Sequence, residues 1–81
     1  MPADEMLAEA LEHLVRGIVE NPDDVEVTDR TQRRGRVLSV HVNPDDMGKV
    51  IGRGGRNARA LRTVVGALSR GRTIRVEFPD S

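Results

Sequence analysis

The sequence contains no cysteine, tryptophan or tyrosine, and its one aromatic residue is Phe78. Without thiols it can form neither disulfides nor cysteine metal sites, a composition suited to a reducing compartment. With so few aromatic rings, recognition of nucleic-acid bases by side-chain stacking is excluded. No apolar run approaches the roughly 18 residues of a membrane span. The opening MPADEMLAEALE is acidic, whereas a secretion signal opens basic and turns apolar. A soluble, cytoplasmic protein is expected. The 81 residues suffice for one small domain, whose folding buries only roughly 60–65% of the chain's surface.

Net charge is also absent, at a formal value of zero. The distribution is far from even. Residues 1–29 carry nine acidic side chains and one basic one, Arg16, whereas residues 30–75 carry twelve basic side chains against Asp45 and Asp46. For binding a polyanion, a local basic patch matters more than the total.

Leu7, Leu11, Leu14, Val15 and Ile18 recur at helical spacing and predict a first helix over about residues 4–20. Asp4 and Glu5 suit the positive end of its dipole, and Asn21-Pro22 is expected to end it. Residues 25–31 (VEVTDRT) and 36–42 (RVLSVHV) alternate and are β-branched, with QRRG between them as a hairpin turn. Leu38, Val40 and Val42 share one strand face; Val37, Ser39 and His41 share the other. In NPDD, Asn43 caps a short helix over about 44–51, Pro44 takes its first position, and Asp45 and Asp46 complement the dipole. A further helix runs over about 56–69 with Ala58, Leu61, Val65 and Leu68 as its buried stripe. Gly71 then turns the chain into a last strand that holds Ile74, Val76 and Phe78 on one face. The order α-β-β-α-α-β predicts an α+β domain with three helices on one face of a three-stranded sheet.

The stretch VIGRGGRN places three glycines within four residues, Gly52, Gly54 and Gly55, between two helices. Each glycine inside a helix costs about 1 kcal/mol against alanine, so the run marks a deliberate break. It leaves backbone amides bare at the start of a helix, where anions bind. A Walker A loop needs other spacing and a terminal Lys-Ser/Thr, and a dinucleotide fingerprint would follow a strand and place glycine at Asn57. What remains is helix–Gly-x-x-Gly–helix.

Followed by a basic amphipathic helix and set in this element order, VIGRGG resembles the signature of KH RNA-binding domains of the type II arrangement. The similarity covers about residues 4–78, and the nearest family is that of the small stand-alone bacterial KhpA-like proteins. It implies one KH domain over residues 1–81 that binds single-stranded RNA, as a small RNA chaperone or post-transcriptional regulator. By that resemblance Gly52 and Gly55 let a nucleic-acid backbone approach. Gly54 is the permissive loop position and Arg53 the basic one. Arg56, Arg59 and Arg62 continue the charge along the helix, with Lys49 on the preceding one. The base groove is expected from the helix before the loop and the central strand, with Met47, Val50, Ile51, Val40 and Val42 as candidates. The amides of Gly54, Gly55 and Arg56 are expected to meet phosphate.

Arg33 and Arg34 are either a solvated hairpin tip or a second phosphate contact; Arg70, Arg72 and Arg75 are read as solubilising the sheet. His13 and His41 have no nucleophile or second ligand placed beside them, and Asp45 and Asp46 are explained by capping. No enzyme activity, metal or cofactor is expected. The alternative reading is a protein-interaction module with little RNA binding of its own. The family resemblance implies a homodimer, or a heterodimer with a larger KH-containing RNA-binding protein.

Overall fold

A computed structural model describes residues 2–70 and 72–79, with side chains from Met6 onward. Its elements are α1 (Pro2–Arg16), β1 (Glu26–Gln32), β2 (Gly35–His41), α2 (Met47–Ile51), α3 (Arg56–Leu68) and β3 (Ile74–Glu77). Short 3-10 turns occupy Pro22–Asp24, Pro44–Asp46 and Arg53–Gly55. Asp4, Glu5 and Gly71, to which the sequence assigns local roles, fall outside the described side chains and residues.

The three strands form one mixed sheet in the order β1-β2-β3, with β1 and β2 antiparallel and β2 and β3 parallel. A tight turn cannot join parallel neighbours. The α2–α3 pair is therefore the crossover that returns the chain from the end of β2 to the start of β3. On the sheet, α1 lies against β1, α3 lies against β3, and the two helices touch each other. Leu11 and Val15 from α1, Leu38 and Val40 from β2, Val50 from α2, and Leu61 and Val65 from α3 meet in one core with Val76 and Phe78. This is the α+β arrangement expected from the apolar periodicities.

Three local details depart from the expectation. The first helix ends at Arg16, because Gly17 is a weak helix former. The amides of Gly17, Ile18 and Val19 turn back to His13, Leu14 and Val15 in a tightened last turn. Pro22 instead opens a separate 3-10 turn. Leu14 and Leu68, placed on buried stripes by periodicity, are 40% and 51% exposed. Val37 and Ser39 are buried although they point away from the helices. In register, Arg30 and Arg75 flank Val37, and Thr28 and Glu77 flank Ser39, so long neighbouring side chains cover the middle strand.

The hairpin closes on the Gln32–Gly35 pair with Arg33 and Arg34 at its tip. Gly35 has φ of 128°, and a Cβ there would stand 2.3 Å from the Thr73 carbonyl oxygen. That carbonyl accepts from the Arg36 amide at 3.0 Å, which joins the hairpin to the start of β3.

Candidate nucleic-acid interface

The glycine turn hangs from α2, a helix of five residues. A helix that short has no stability of its own and is held by tertiary contacts. Before it, the Asn43 side chain accepts from the Asp45 amide at 2.9 Å, the cap that NPDD predicts. Asp46 has a different role from the one expected. Its side chain is buried, and it accepts from the amides of Glu20 at 3.2 Å and Asn21 at 3.0 Å, and from Asn21 Nδ2 at 3.0 Å. It clamps the α1–β1 connection to the start of α2. Lys49 pairs with Glu20 across the same junction. Val50 anchors the middle of α2 in the core with no exposed surface. At the far end, Asn57 Nδ2 donates to the Lys49 carbonyl at 2.7 Å, which otherwise lies among the unsatisfied acceptors of a helix end.

The Asp46 clamp has a pH signature. Burial pushes its carboxyl pKa up. Hydrogen bonds from the Asn21 side chain and the Glu20 and Asn21 amides, with Lys49 nearby, outweigh this and hold the group below the ordinary aspartate range. The folded chain thus binds this proton less tightly than the unfolded chain does. Its contribution is complete above the unfolded pKa and is lost as pH falls through the folded one. Asp46→Asn should lower Tm at neutral pH and flatten the loss of stability below about pH 4. Thermal melts of both proteins from neutral to acid pH check this; parallel Tm curves would remove the clamp.

Beyond α2 the backbone reverses through three glycines in left-handed territory. Gly52 has φ 77° and ψ 170°, Gly54 has φ 59° and ψ 19°, and Gly55 has φ 79° and ψ 18°. Gly54, read from sequence as merely permissive, thus adopts a conformation that a β-carbon disfavours. Two of the three amides expected to be free are already used. Gly55 N–H donates to the Gly52 carbonyl at 3.1 Å, and Arg56 N–H donates to the Arg53 carbonyl. Among the described hydrogen bonds, the amides of Arg53 and Gly54 have no acceptor. They are left at the positive end of the thirteen-residue α3.

Arg53, Arg56 and Arg59 are exposed, and among the described residues none of their guanidinium groups has an acidic partner. Arg62 differs. Its Nε donates to the Val76 carbonyl at 3.3 Å, and its guanidinium lies 5.4 Å from the Phe78 ring centre, so it straps the open edge of β3. Beside it runs a cleft of about 550 Å³ lined by Arg62, Ile74, Arg75, Val76, Glu77 and Phe78. Of the apolar groove candidates, Met47 and Ile51 are half-buried and Val42 is 8% exposed. Val40 and Val50 have no exposed surface and belong to the core. Lys49 is exposed but engaged with Glu20.

Asn57, Asp46 and Arg62 are the residues whose roles sequence reasoning missed. Their partners lie 8, 26 and 14 positions away, so no local pattern announces them.

A two-layer α-β-β-α-α-β domain with a parallel β2–β3 pair, a three-glycine turn between two helices and unpaired arginines beyond it defines a KH-type domain. The family model for the KhpA/KhpB KH domain matches residues 8–78. The chain belongs to that family. It is 71% identical over 75 residues to the RNA-binding protein KhpA of Streptomyces coelicolor, covering 93% of this chain and 94% of that one. The RNA-binding protein KhpA of Mycobacterium tuberculosis is 62% identical over 76 residues, with 94% of each chain covered. The protein of the same name from Halalkalibacterium halodurans is 42% identical over 72 residues, covering 86% of this chain and 95% of that one. No solved structure matches the chain at a comparable level. Among the described residues, no helix is long and apolar enough to cross a membrane.

Proposed function

We propose that this chain, as one KH domain with a core over about residues 4–78, binds single-stranded RNA at its glycine turn. It acts in the cytoplasm as a small RNA chaperone or post-transcriptional regulator and not as an enzyme. The observation that carries this reading is the turn itself, in which Gly52, Gly54 and Gly55 present two unaccepted amides and Arg53 at the head of α3. Arg56 and Arg59 extend the phosphate track. Met47, Ile51 and the edge of Val42 offer aliphatic contact to bases, and Val40, Val50 and Lys49 hold that wall in place. The RNA-binding relatives named above support the same ligand. KH turns clamp the backbone of about four unpaired nucleotides, so single-stranded RNA should outcompete a duplex of the same sequence. Fluorescence polarisation with matched oligonucleotides tests this, and equal or better duplex binding would sink the reading.

A second observation favours a partner. Met6 and Leu14 on α1, and Val64 and Leu68 on α3, are large apolar side chains between 40% and 62% exposed. The two helices touch, and four-residue spacing sets Ala10 and Ala60 into the same rows. An exposed apolar stripe of this kind marks an interaction surface. The acidic first segment and the wholly basic α3 make the chain complementary to its own copy, as a two-fold interface requires. Val64→Glu with Leu68→Glu should convert a dimer to monomer in sedimentation equilibrium. A monomeric parent would reserve the stripe for a larger KH-containing partner.

A further inference from the structure

The hairpin tip lies at the other end of the molecule from the glycine turn. Strands β2 and β3 both start there, and α3, about 20 Å long, runs from the turn toward it. On the outward side of the tip is a second cavity of about 250 Å³, lined chiefly by Gln32, Arg33, Arg34, Arg36, Val37 and Arg75. Four of these are arginines and none is an acid. Arg36 is engaged by Asp29, and Arg75 pairs loosely with Glu77 at 3.9 Å. Arg33 and Arg34 are exposed and have no acidic partner among the described residues. The fold itself brings these like charges together. The β-carbon exclusion at Gly35 and the Arg36–Thr73 bond fix the tip against β3, and β2–β3 register sets Arg75 beside Val37.

Convergent guanidinium groups repel one another and make a site for an anion, and their planar forks match phosphate. The volume lies below the range typical of small-molecule pockets, which suits a phosphodiester unit better than a cofactor. Arg75 also lines the cleft beside Arg62 along the β3 edge, so the two cavities share a wall. A basic path therefore leads from the glycine turn past Arg59 and Arg62 to the hairpin.

We propose that the hairpin cavity is a second phosphate site, which holds the backbone of an RNA strand after it leaves the glycine turn. Gly-x-x-Gly contact sets the grip on a short segment, and the hairpin adds affinity only for strands long enough to reach it. This inference rests on the RNA-binding reading above, and the test separates the two. The variant Arg33→Gln with Arg34→Gln, whose exposed sites leave the thermal melt unchanged, is compared with Arg53→Asp and the parent. Each is titrated with unstructured single-stranded RNA of about 5 nucleotides, just enough to fill the roughly four-nucleotide KH footprint, and of about 20, which extends well past it.

The hairpin variant should bind the short strand like the parent. It should lose about tenfold in affinity for the long one, with a log–log salt slope shallower by about 1.4 for two lost phosphate contacts. Arg53→Asp should lose both. A hairpin variant with parental affinity for the long strand overturns the second site and leaves the glycine-turn reading intact. So does an equal loss on both lengths. If Arg53→Asp changes neither length, the glycine-turn reading falls, and the hairpin site falls with it.

Discussion

Arg53→Asp should leave the protein folded and remove most of its RNA affinity. Arg53 is exposed, and among the described residues its side chain meets no acidic group. A carboxylate placed at the head of α3 is favoured by the helix dipole by about 0.3–1 kcal/mol, so the melt should move by no more than about 1 kcal/mol. Neighbouring Gly54 is left alone, because its φ of 59° would charge any β-carbon about 1–2 kcal/mol and confuse folding with binding. For RNA the change is two charge units at the point proposed to meet phosphate. Loss of a charge-assisted hydrogen bond, with repulsion added, should cost about 2–3 kcal/mol, roughly thirty- to a hundred-and-fifty-fold in Kd. With three or four phosphates contacted, the parent's log–log salt slope should be about −2 to −3, and the variant's shallower by about 0.7. Binding titrations across salt, beside a circular-dichroism melt, give both readouts. Undiminished RNA binding by the folded variant would reduce the glycine run to a turn and move the ligand elsewhere.

The sequence disclosed the glycine turn because it is a property of local backbone chemistry. Three glycines between apolar helical stripes have few other uses, and all three do adopt positive φ. The element order was legible for a similar reason, since the 2-residue and 3.6-residue periods change cleanly at Asn43 and Gly71. Depth and partnership were not. Periodicity puts Val40 and Val42 on one face, but only tertiary packing leaves the first without surface and the second at 8%. Asp45 and Asp46 look alike in NPDD. One is exposed, and the other is buried among donors 25 and 26 positions earlier in the chain. Arg62 belongs to the same arginine series as Arg56 and Arg59, yet the edge of β3 takes it for structure. Side chains whose partners are distant in sequence leave no spacing to read. Two of them, Asp46 and Asn57, hold the helix from which the turn hangs.

Gly52→Ala should be the most damaging single methyl in the glycine turn, since an added β-carbon at Gly54 or Gly55 meets nothing within 4 Å. At φ 77° and ψ 170° the backbone of Gly52 is in a region essentially reserved for glycine, where another residue costs about 1–3 kcal/mol. Space is short as well. A β-carbon would stand 2.9 Å from the Asn57 backbone nitrogen, 2.9 Å from its Cγ and 3.1 Å from its Cβ. The nitrogen and Cβ cannot swing aside as a flexible chain end would. Either the first turn of α3 moves or the Asn57 bond to the Lys49 carbonyl breaks, which frees the end of α2. Such overpacking adds about 1–3 kcal/mol, so the total should be about 2–6 kcal/mol, a large share of a small domain's stability. RNA affinity should fall too, because the turn loses its geometry even where the fold survives. Gly48→Ala is the matched control. It sits inside α2 with no atom within 4 Å of an added methyl and no positive φ, so it should be neutral or stabilising by about 0.5–1 kcal/mol. Adding Asn57→Ala to Gly52→Ala removes Cγ but leaves the nitrogen, Cβ and backbone strain, so it should not restore the melt. If Gly52→Ala melts with the parent, the turn adapts freely and its glycine conformation is not what fixes the arginines of α3. If Asn57→Ala does rescue it, the side-chain contact and not the backbone made Gly52 necessary.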